Sequence, residues 1–331
     1  MMLLKPHKND YLIIKHLCQL TQPELMKQVY TYLDNKYDKV WKTDYAVFAE
    51  GDIPVTLVAH LDTVFDVPPT DFYIDTKKGV LWSPEGLGAD DRAGVFAILK
   101  LISLDCKPNI VFVTDEEIGC VGAQNVIEEY PKCPFKSNFI IELDRRGRDD
   151  CVFYNCANDE FEEYIESFGF VTRIGSFSDI SVLAPAWGQA AVNLSIGYYN
   201  EHSFQEHLNV FYLFETLEKV MHIFERCDKH FEYIDAFKDF YNTDYSAWNY
   251  EFIDETELAE GAVTKCAFCN EKYQDYDIIP VDFNGRKLGL CLDCLTKANV
   301  QWCYKCNTLY YINNESTDQG LCYHCEEENH G

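Results

Sequence analysis

Basic residues are scarce in this chain of 331 residues. Its 28 lysines and arginines stand against 55 aspartates and glutamates, which gives a formal net charge of -27. Such an excess of negative charge repels the phosphates of nucleic acids and the anionic headgroups of membranes. We therefore expect neither a nucleic acid nor a membrane as a partner.

Long apolar runs are lacking as well. No run reaches the roughly 18 residues that a membrane-spanning helix needs, and the segment from Met1 to Lys8 lacks the apolar core of a secretion signal. The composition is 47% hydrophobic and 25% charged, as in soluble globular proteins. We expect a soluble protein of the cytoplasm with one sizeable domain and a small accessory module.

Cysteine, by contrast, is plentiful, but its distribution does not fit a disulfide framework. Seven of the 15 cysteines are scattered singly through residues 18–227, and eight form four C-x-x-C pairs between residues 266 and 325. Paired cysteines at this spacing are typical of metal binding in a reducing compartment.

The four pairs predict a module over residues 263–328 with two structural zinc ions, each held by four thiolates. The cysteines are Cys266, Cys269, Cys291, Cys294, Cys303, Cys306, Cys322 and Cys325. We expect sequential pairing, the first four on one ion and the last four on the other; interleaved pairing and redox-active thiols stay open. An Asn-Gly pair predicts a hairpin over 281–287, followed by a helix over 292–299. This zinc-ribbon or treble-clef-like module could recruit a protein partner or substrate, or pack against the rest of the chain.

Residues 1–240 show the pattern of an α/β domain. Two helices are expected in the first forty residues, with Leu12, Ile13, Ile14, Leu17 and Leu20 on one apolar face. Short β-branched runs over 55–59, 110–114, 139–143 and 191–196 then alternate with helical patterns over 93–104, 121–130 and 207–227. This alternation predicts a mostly parallel sheet flanked by helices. Residues 228–262 are interpreted as a packed terminal helix and then an acidic linker, which covers 241–262.

Five acidic or histidine-containing segments lie at the ends of these strands or at the start of a helix. They are His60–Val64, Gly88–Gly94, Thr114–Gly119, Glu142–Asp144 and Tyr199–Ser203. Successive loops of a parallel sheet meet at one carboxyl edge, so these segments are expected to converge. Each alone has an ordinary structural explanation, such as a helix cap or a solvated acid pair. Their joint order and spacing favour a shared site.

The residue types in these segments suit a pair of zinc ions. Zinc accepts imidazole nitrogen and carboxylate oxygen, and a catalytic site leaves a position open for water. Two histidines, one bridging carboxylate and a further carboxylate for each ion would hold two ions a few Å apart. A free carboxylate beside that water can act as a general base.

The motif order, H-x-D-T-V, G-A-D-D-R-A-G, D-E-E-I-G, a strand ending in Asp and a late His, resembles the co-catalytic zinc exopeptidases. That clan includes compact aminopeptidases and the tripeptidase T and glutamate carboxypeptidase group, and the resemblance covers residues 55–210. It implies that His60, Asp90 and Asp144 hold one zinc, while Asp90, Glu117 and His202 hold the other. Asp62 would orient His60, and Glu116 would be the general acid/base. His207 is an alternative ligand in place of His202. We favour His202, because it lies soon after the last predicted strand.

The resemblance implies a metallopeptidase in which a bridging hydroxide attacks the scissile carbonyl and Glu116 passes the proton to the leaving amine. Only 57 residues separate Asp144 from His202, and 29 separate His60 from Asp90. These gaps are too short for the extra domains of larger relatives, which favours a compact aminopeptidase over a deacylase. The alternatives are a deacylase or specialised amidohydrolase acting on a modified protein or cell-wall peptide, and a non-catalytic binding or regulatory protein of the same fold. The segment 176–179, which ends in Asp179, and Tyr198 and Tyr199 are weaker candidates for the substrate pocket.

Overall fold

The computed structural model describes residues 4–175, 177–236, 263–267, 269, 272–274, 278–283, 286–295, 300–302 and 309–311. The chain divides into two compact units, Met1–Ile234 and Asp235–Gly331. The predicted linker over 241–262 and the last four cysteines of the predicted module, Cys303, Cys306, Cys322 and Cys325, lie outside the described residues.

The first unit alternates strands with helices along most of its length. Its helices are α1 (Lys8–Cys18), α2 (Gln22–Asp34), α3 (Ala89–Ser103), α4 (Val121–Glu129), α5 (Asp159–Glu166), α6 (Asp179–Trp187) and α7 (Val210–Phe224). Its strands are β1 (Lys39–Lys42), β2 (Ala46–Glu50), β3 (Ile53–His60), β4 (Tyr73–Asp75), β5 (Val80–Trp82), β6 (Pro108–Val113), β7 (Ile140–Arg145), β8 (Asp150–Val152), β9 (Val171–Thr172), β10 (Ala191–Ser195), β11 (Tyr198–Tyr199) and β12 (His207–Asn209).

An eight-stranded sheet organises this unit, in the order β1-β2-β6-β3-β7-β10-β8-β9. The four central strands β6, β3, β7 and β10 are parallel, and β2 and β8 flank them antiparallel. Hydrophobic clusters cover both faces of the sheet, which explains why the central strands are nearly continuous apolar runs. The predicted α/β fold with a mostly parallel sheet is confirmed.

The two N-terminal helices form as predicted, but the apolar face of α1 is narrower than expected. Tyr11, Ile14 and Leu17 are buried, whereas Leu12 and Ile13 are 49% and 45% exposed. Successive residues of a helix are rotated by about 100°, so the two positions between Tyr11 and Ile14 face away from the core. The prediction that Leu12 and Ile13 share the buried face is therefore wrong.

A second sheet of four short strands joins β4 and β5 to β11 and β12, in the order β11-β12-β5-β4. Its strand β12 occupies the first residues of the helix predicted over 207–227, so that helix begins later, at Val210. The side chain of Asn209 accepts hydrogen bonds from the backbone N–H groups of Phe211 and Tyr212 and thereby caps α7. This cap fixes the boundary between strand and helix.

The second unit contains strands β13 (Val263–Lys265), β14 (Lys272–Gln274), β15 (Ile278–Phe283), β16 (Arg286–Cys291), β17 (Val300–Trp302) and β18 (Leu309–Tyr311), and a short helix α8 (Leu292–Leu295). Strands β15 and β16 pair antiparallel, with Phe283 opposite Arg286, as expected for the predicted hairpin. Helix α8 begins where the helix over 292–299 was predicted. Among the described residues of either unit, no helix has the length and apolar character needed to cross a bilayer.

Candidate metal centre and active site

The carboxyl edge of the central sheet gathers the predicted site residues. His60 is the last residue of β3, Asp144 lies near the end of β7, and Glu116 and Glu117 follow β6. Asp90 lies in the first turn of α3, where the backbone departs from helical geometry and the Asp90–Asp91 peptide is cis. His202 lies in the turn between β11 and β12. The strands thus bring together side chains that are up to 142 residues apart in sequence.

Asp90 lies at the centre of two groups of possible ligands. Its Oδ1 is 3.1 Å from Nε2 of His60, and its Oδ2 is 3.2 Å from Nε2 of His202. Asp144 Oδ1 lies 3.6 Å from the same His60 nitrogen, and Glu117 Oε2 lies 3.0 Å from the same His202 nitrogen. In each group of three, the ligand atoms lie within 4.8 Å of one another. One carboxylate can therefore serve two neighbouring cation sites.

Asp62 contacts both His60 and the loop that carries Glu116 and Glu117, and it lies on the side of the imidazole opposite Asp90. Its Oδ1 lies 3.1 Å from Nδ1 of His60 and also accepts the backbone N–H of Glu116 at 3.0 Å. Its Oδ2 accepts the backbone N–H of Glu117 at 3.0 Å. Burial alone would raise the pKa of Asp62, but the hydrogen bonds and the charge of His60 hold it below its usual value. Asp62 thus stays ionised and fixes both the imidazole and the loop that carries the two glutamates.

The carboxyl group of Glu116 is buried beside the two groups. Burial is the main reason that its pKa rises to about 7, and the charges of Glu117, Asp90 and Asp62 add to the rise while His60 opposes it. The Sγ atom of Cys120 lies 3.7 Å from Oε1 of Glu116. Oxygen or nitrogen atoms of Glu116, Glu117 and His60 also lie within 4.8 Å of one another, so distance alone would allow Glu116 to be a ligand.

Several hydrogen bonds fix Asp144. The hydroxyl of Tyr198 donates to its Oδ1 and to its backbone carbonyl, both at 3.1 Å. The side-chain oxygen of Asn193 accepts its backbone N–H at 3.0 Å, and the Asn193 amide donates to Ser178. Ser178 in turn donates to Glu142, which is fully buried two residues before Asp144. Tyr198, predicted as a pocket residue, thus contacts one of the possible metal ligands.

Glu206 is a site residue that the sequence did not reveal. It is fully buried, and its carboxylate accepts the backbone N–H of Gly88 at 2.6 Å and that of Asp90 at 2.9 Å. Burial raises its pKa to about 8. Glu206 therefore fixes the turn that presents Asp90, although no local motif surrounds it.

The other predicted residues lie elsewhere. Tyr199 stacks on His207, with ring centroids 5.5 Å apart, and Nδ1 of His207 lies 3.1 Å from the carbonyl of Gln205. His202, and not His207, therefore belongs to one of the two groups of possible metal ligands. Asp179 is fully buried at the start of α6, and neither of its carboxylate oxygens has a hydrogen-bond partner among the described residues.

The excess of buried acid makes this site fit cations. Burial raises the pKa of Glu142 to about 8 and raises that of Asp144 well above its usual value. Burial would lower the pKa of His60, but Asp144, Asp62 and Asp90 raise it well above its usual value. Hydrogen bonds to Asp90 and Glu117 raise the pKa of His202 to about 10. Buried carboxyl groups that resist ionisation in the absence of a cation, together with imidazole donors, are the chemistry that a pair of divalent metal ions would satisfy.

The second unit holds a separate four-cysteine cluster. The Sγ atoms of Cys266, Cys269, Cys291 and Cys294 lie within 4.8 Å of one another. Cys266 and Cys291 are buried, and the backbone N–H of Cys291 lies 3.3 Å from Sγ of Cys266. Two C-x-x-C pairs converge here, and four thiolates at such distances could hold a metal ion.

Known proteins resemble this chain in fold. The aminopeptidase PepT from Bacillus cereus superposes with a TM-score of 0.56 at 15% identity, over 67% of this chain and 99% of that chain. A tripeptidase from Staphylococcus aureus gives 0.54 at 14% identity, over 67% and 98%. A TET aminopeptidase from a marine sediment archaeon gives 0.55 at 12% identity, over 67% and 98%. No family model and no curated protein matches the sequence. At these identities the likeness establishes the peptidase-like fold.

Proposed function

We propose that this chain is a zinc-dependent peptide hydrolase, an aminopeptidase that removes residues from short peptides. The observation that carries the proposal is the position of Asp90, whose two oxygens face two different histidines at 3.1 and 3.2 Å. The second carboxylate beside each histidine completes two sites of three protein donors. Three protein donors and an open position are typical of catalytic zinc, whereas a closed set of four is typical of structural zinc.

His60, Asp90 and Asp144 would hold one ion, and Asp90, Glu117 and His202 the other. When bound, the pair would polarise the scissile carbonyl and lower the pKa of the attacking water. Glu116 is assigned as the base because it belongs to neither of these two groups, whose acids all serve as ligands. Its pKa of about 7 suits a group that takes a proton from water and returns it to the leaving amine.

The side chain of His202 is 52% exposed, so a substrate can reach this side of the site from solvent. The preference for exopeptidase action on short peptides is supported by the similar structures. The solved structures with this fold include proteins described as an aminopeptidase and a tripeptidase.

The cysteine cluster is proposed to hold a structural zinc ion, and Cys303, Cys306, Cys322 and Cys325 a second one. The buried apolar cluster among the described residues of this unit is small, and small modules of this kind gain much of their folding free energy from metal binding. Reduced thiolates of this kind fit the expected location in the cytoplasm. We propose that the module recruits a protein partner or a large substrate.

The experiment that tests the function combines metal analysis with a substrate panel. We expect about four zinc ions per chain, two catalytic and two structural. The zinc-loaded protein should hydrolyse free-amine peptides and C-blocked peptides, and leave N-blocked peptides intact. About two zinc ions per chain with no turnover of any peptide, after reconstitution with zinc, would instead indicate a non-catalytic binding protein.

A further inference from the structure

The short segment from His202 to Glu206 contacts Asp90 at two points. Nε2 of His202 lies 3.2 Å from Oδ2 of Asp90, and Oε1 of Glu206 accepts the backbone N–H of Asp90 at 2.9 Å. Asp90 is the residue shared by the two proposed metal sites, and His202 is a ligand in one of them. One loop therefore contacts both the side chain and the main chain of the proposed bridging ligand.

Both carboxylate oxygens of Glu206 bind the turn that opens α3. Oε2 accepts the backbone N–H of Gly88 at 2.6 Å, while Oε1 accepts that of Asp90. The first N–H groups of a helix have no partner within the helix, and Asp90 departs from helical geometry with a ψ of 103°. The helix alone does not fix this conformation, so the carboxylate that joins the two N–H groups determines where Asp90 lies.

The loop that carries His202 also needs to be held in place. Asn200 and His202 have φ angles of 56° and 59°, in the left-handed region that residues other than glycine adopt infrequently. The side chain of His202 is 52% exposed and Phe204 is 61% exposed, so these side chains gain little from packing. Glu206, by contrast, is fully buried. It is the point at which this exposed loop enters the interior.

Two other contacts of the loop lie nearer the surface. Nη1 of Arg146 is 2.7 Å from Oε1 of Glu201, in an ion pair whose side chains are 57% and 22% exposed. The indole Nε1 of Trp82 donates to the carbonyl of Phe204 at 3.0 Å. Exposed ion pairs contribute little to stability, whereas hydrogen bonds to a buried carboxylate are stronger. The hydrogen bonds of Glu206 are therefore the main link between this loop and α3.

We propose that Glu206 is a positioning residue that couples His202 to Asp90, so that the ion held by Asp90, Glu117 and His202 binds tightly only while this carboxylate joins the two segments. The proposal rests on the proposed function, because it concerns the metal pair of that site.

The two ions should depend on Glu206 to different degrees. The ion near His60 takes two of its three donors, His60 and Asp144, from the ends of central strands that the sheet holds in place. The ion near His202 takes two of its three donors, Asp90 and His202, from the segments that Glu206 joins. Loss of the carboxylate should therefore weaken the ion near His202 more than the other.

The test is a cobalt(II) titration of the chelator-treated full chain, followed by its absorption spectrum. Cobalt bound to thiolates absorbs far more strongly than cobalt bound to carboxylate and imidazole, so the cysteine cluster is distinguished from the metal pair. His202→Ala and His60→Ala, which each remove one ligand, identify the spectrum of each ion. In Glu206→Gln the amide keeps the size of the side chain, but its NH₂ group cannot accept an N–H.

Glu206→Gln should lower the affinity for the ion that His202→Ala loses by at least about tenfold, and the affinity for the other ion by less than about fivefold. Glu206→Asp keeps the charge on a shorter side chain and should show the same selectivity with a smaller loss, which preserves the test if the glutamine variant folds poorly. Equal weakening of the two ions, or weakening of neither, would overturn the proposal.

Asp10→Asn is the matched control. Asp10 is also a buried acid, and it accepts the backbone N–H of His7 at 2.7 Å and a hydrogen bond from Lys100 at 2.9 Å, but it belongs to neither metal group. Both cobalt affinities should stay at those of the parent; a loss like that of Glu206→Gln would reduce the role of Glu206 to general stability and contradict the proposal.

Peptide hydrolysis by the parent chain separates this proposal from the proposed function. If Glu206→Gln loses one ion selectively but the parent hydrolyses no peptide, the function fails and the role of Glu206 stands. If the parent hydrolyses peptides and Glu206→Gln retains both ions at the affinities of the parent, the role of Glu206 fails alone.

Discussion

The carboxylate of Asp62 lies 3.1 Å from Nδ1 of His60, while the Nε2 atom of the same imidazole faces Asp90 and Asp144. The second nitrogen of His60 is therefore directed at the proposed metal by a group that is not itself a ligand. Because Asp62 also accepts the backbone N–H groups of Glu116 and Glu117, one carboxylate positions both a ligand and the proposed base.

Asp62→Asn should lower catalytic zinc affinity or kcat/KM by about 10- to 100-fold, the usual cost of losing a partner that orients a metal ligand. The amide keeps the shape of the side chain, but it has only one acceptor oxygen for three donors. Zinc titration of the chelator-treated protein, together with peptide hydrolysis, measures both quantities.

Asp44→Asn is the matched control, because Asp44 lies outside the site and takes part in neither group. It should leave both quantities unchanged. If Asp62→Asn behaved like this control, Asp62 would have no orienting role.

Glu116→Gln should keep the catalytic zinc content close to that of the parent while kcat falls by about 10² to 10⁴-fold, the range for loss of a general base. Glutamine retains the size of the side chain but cannot accept the proton. Metal analysis and peptide hydrolysis on the same sample distinguish a base from a ligand.

Glu128→Gln is the control, because Glu128 is exposed on α4. This variant should keep both the zinc content and kcat of the parent. Loss of one zinc equivalent from the Glu116 variant would show that Glu116 is a ligand, which its distances to His60 and Glu117 allow.

The fold and much of the site were predictable from local patterns. Buried β-branched runs predicted the four central strands, and a parallel sheet must bring residues at its carboxyl edge together, so Asp144 and His60 could be expected as neighbours. Glu206 could not, because its partners are the backbone N–H groups of Gly88 and Asp90, which are 118 and 116 residues away. The sequence around Glu206 shows only an acid in a polar loop.

The burial of Glu142 was likewise not predictable from its local sequence. It lies in an apolar strand, where a single acid is compatible with an exposed strand end. In the folded chain it is fully buried, and its oxygen accepts a hydrogen bond from Ser178 at the start of α6, a helix that was not predicted. Contacts between distant elements, and not local periodicity, decide such positions.

Cys266→Ser should remove about one zinc ion per chain and destabilise the second unit, while hydrolysis of short peptides persists. Four thiolates form a structural zinc site, and loss of one removes much of the metal-dependent folding free energy. Zinc analysis with hydrogen exchange across residues 263–295 measures both effects.

Cys106→Ser is the control, because Cys106 is a partly buried thiol of the first unit that belongs to none of the possible metal groups. An unchanged zinc content in Cys266→Ser would show that the thiol cluster binds no metal.

The metal-free protein should lose stability as the pH rises from about 6 to about 9. The folded-state pKa values of Glu116, Glu142 and Glu206 are raised to about 7, 8 and 8, above an unfolded value of about 4.3. The folded state therefore binds more protons in this range, and the stability linked to them is lost as they dissociate. His202, with its pKa raised to about 10, acts in the same direction, whereas Asp62, with a lowered pKa, matters only at more acidic pH.

Zinc should reverse this dependence, because the ligands must be deprotonated to bind it and zinc affinity then rises with pH. Thermal unfolding at several pH values, with chelator and with zinc, measures the difference, which should widen from pH 6 to pH 9. Removing the carboxyl group in Glu206→Gln should flatten the curve of the metal-free protein. A melting temperature of the metal-free protein that rises with pH over this range would show that the buried acids are not the source of the linkage.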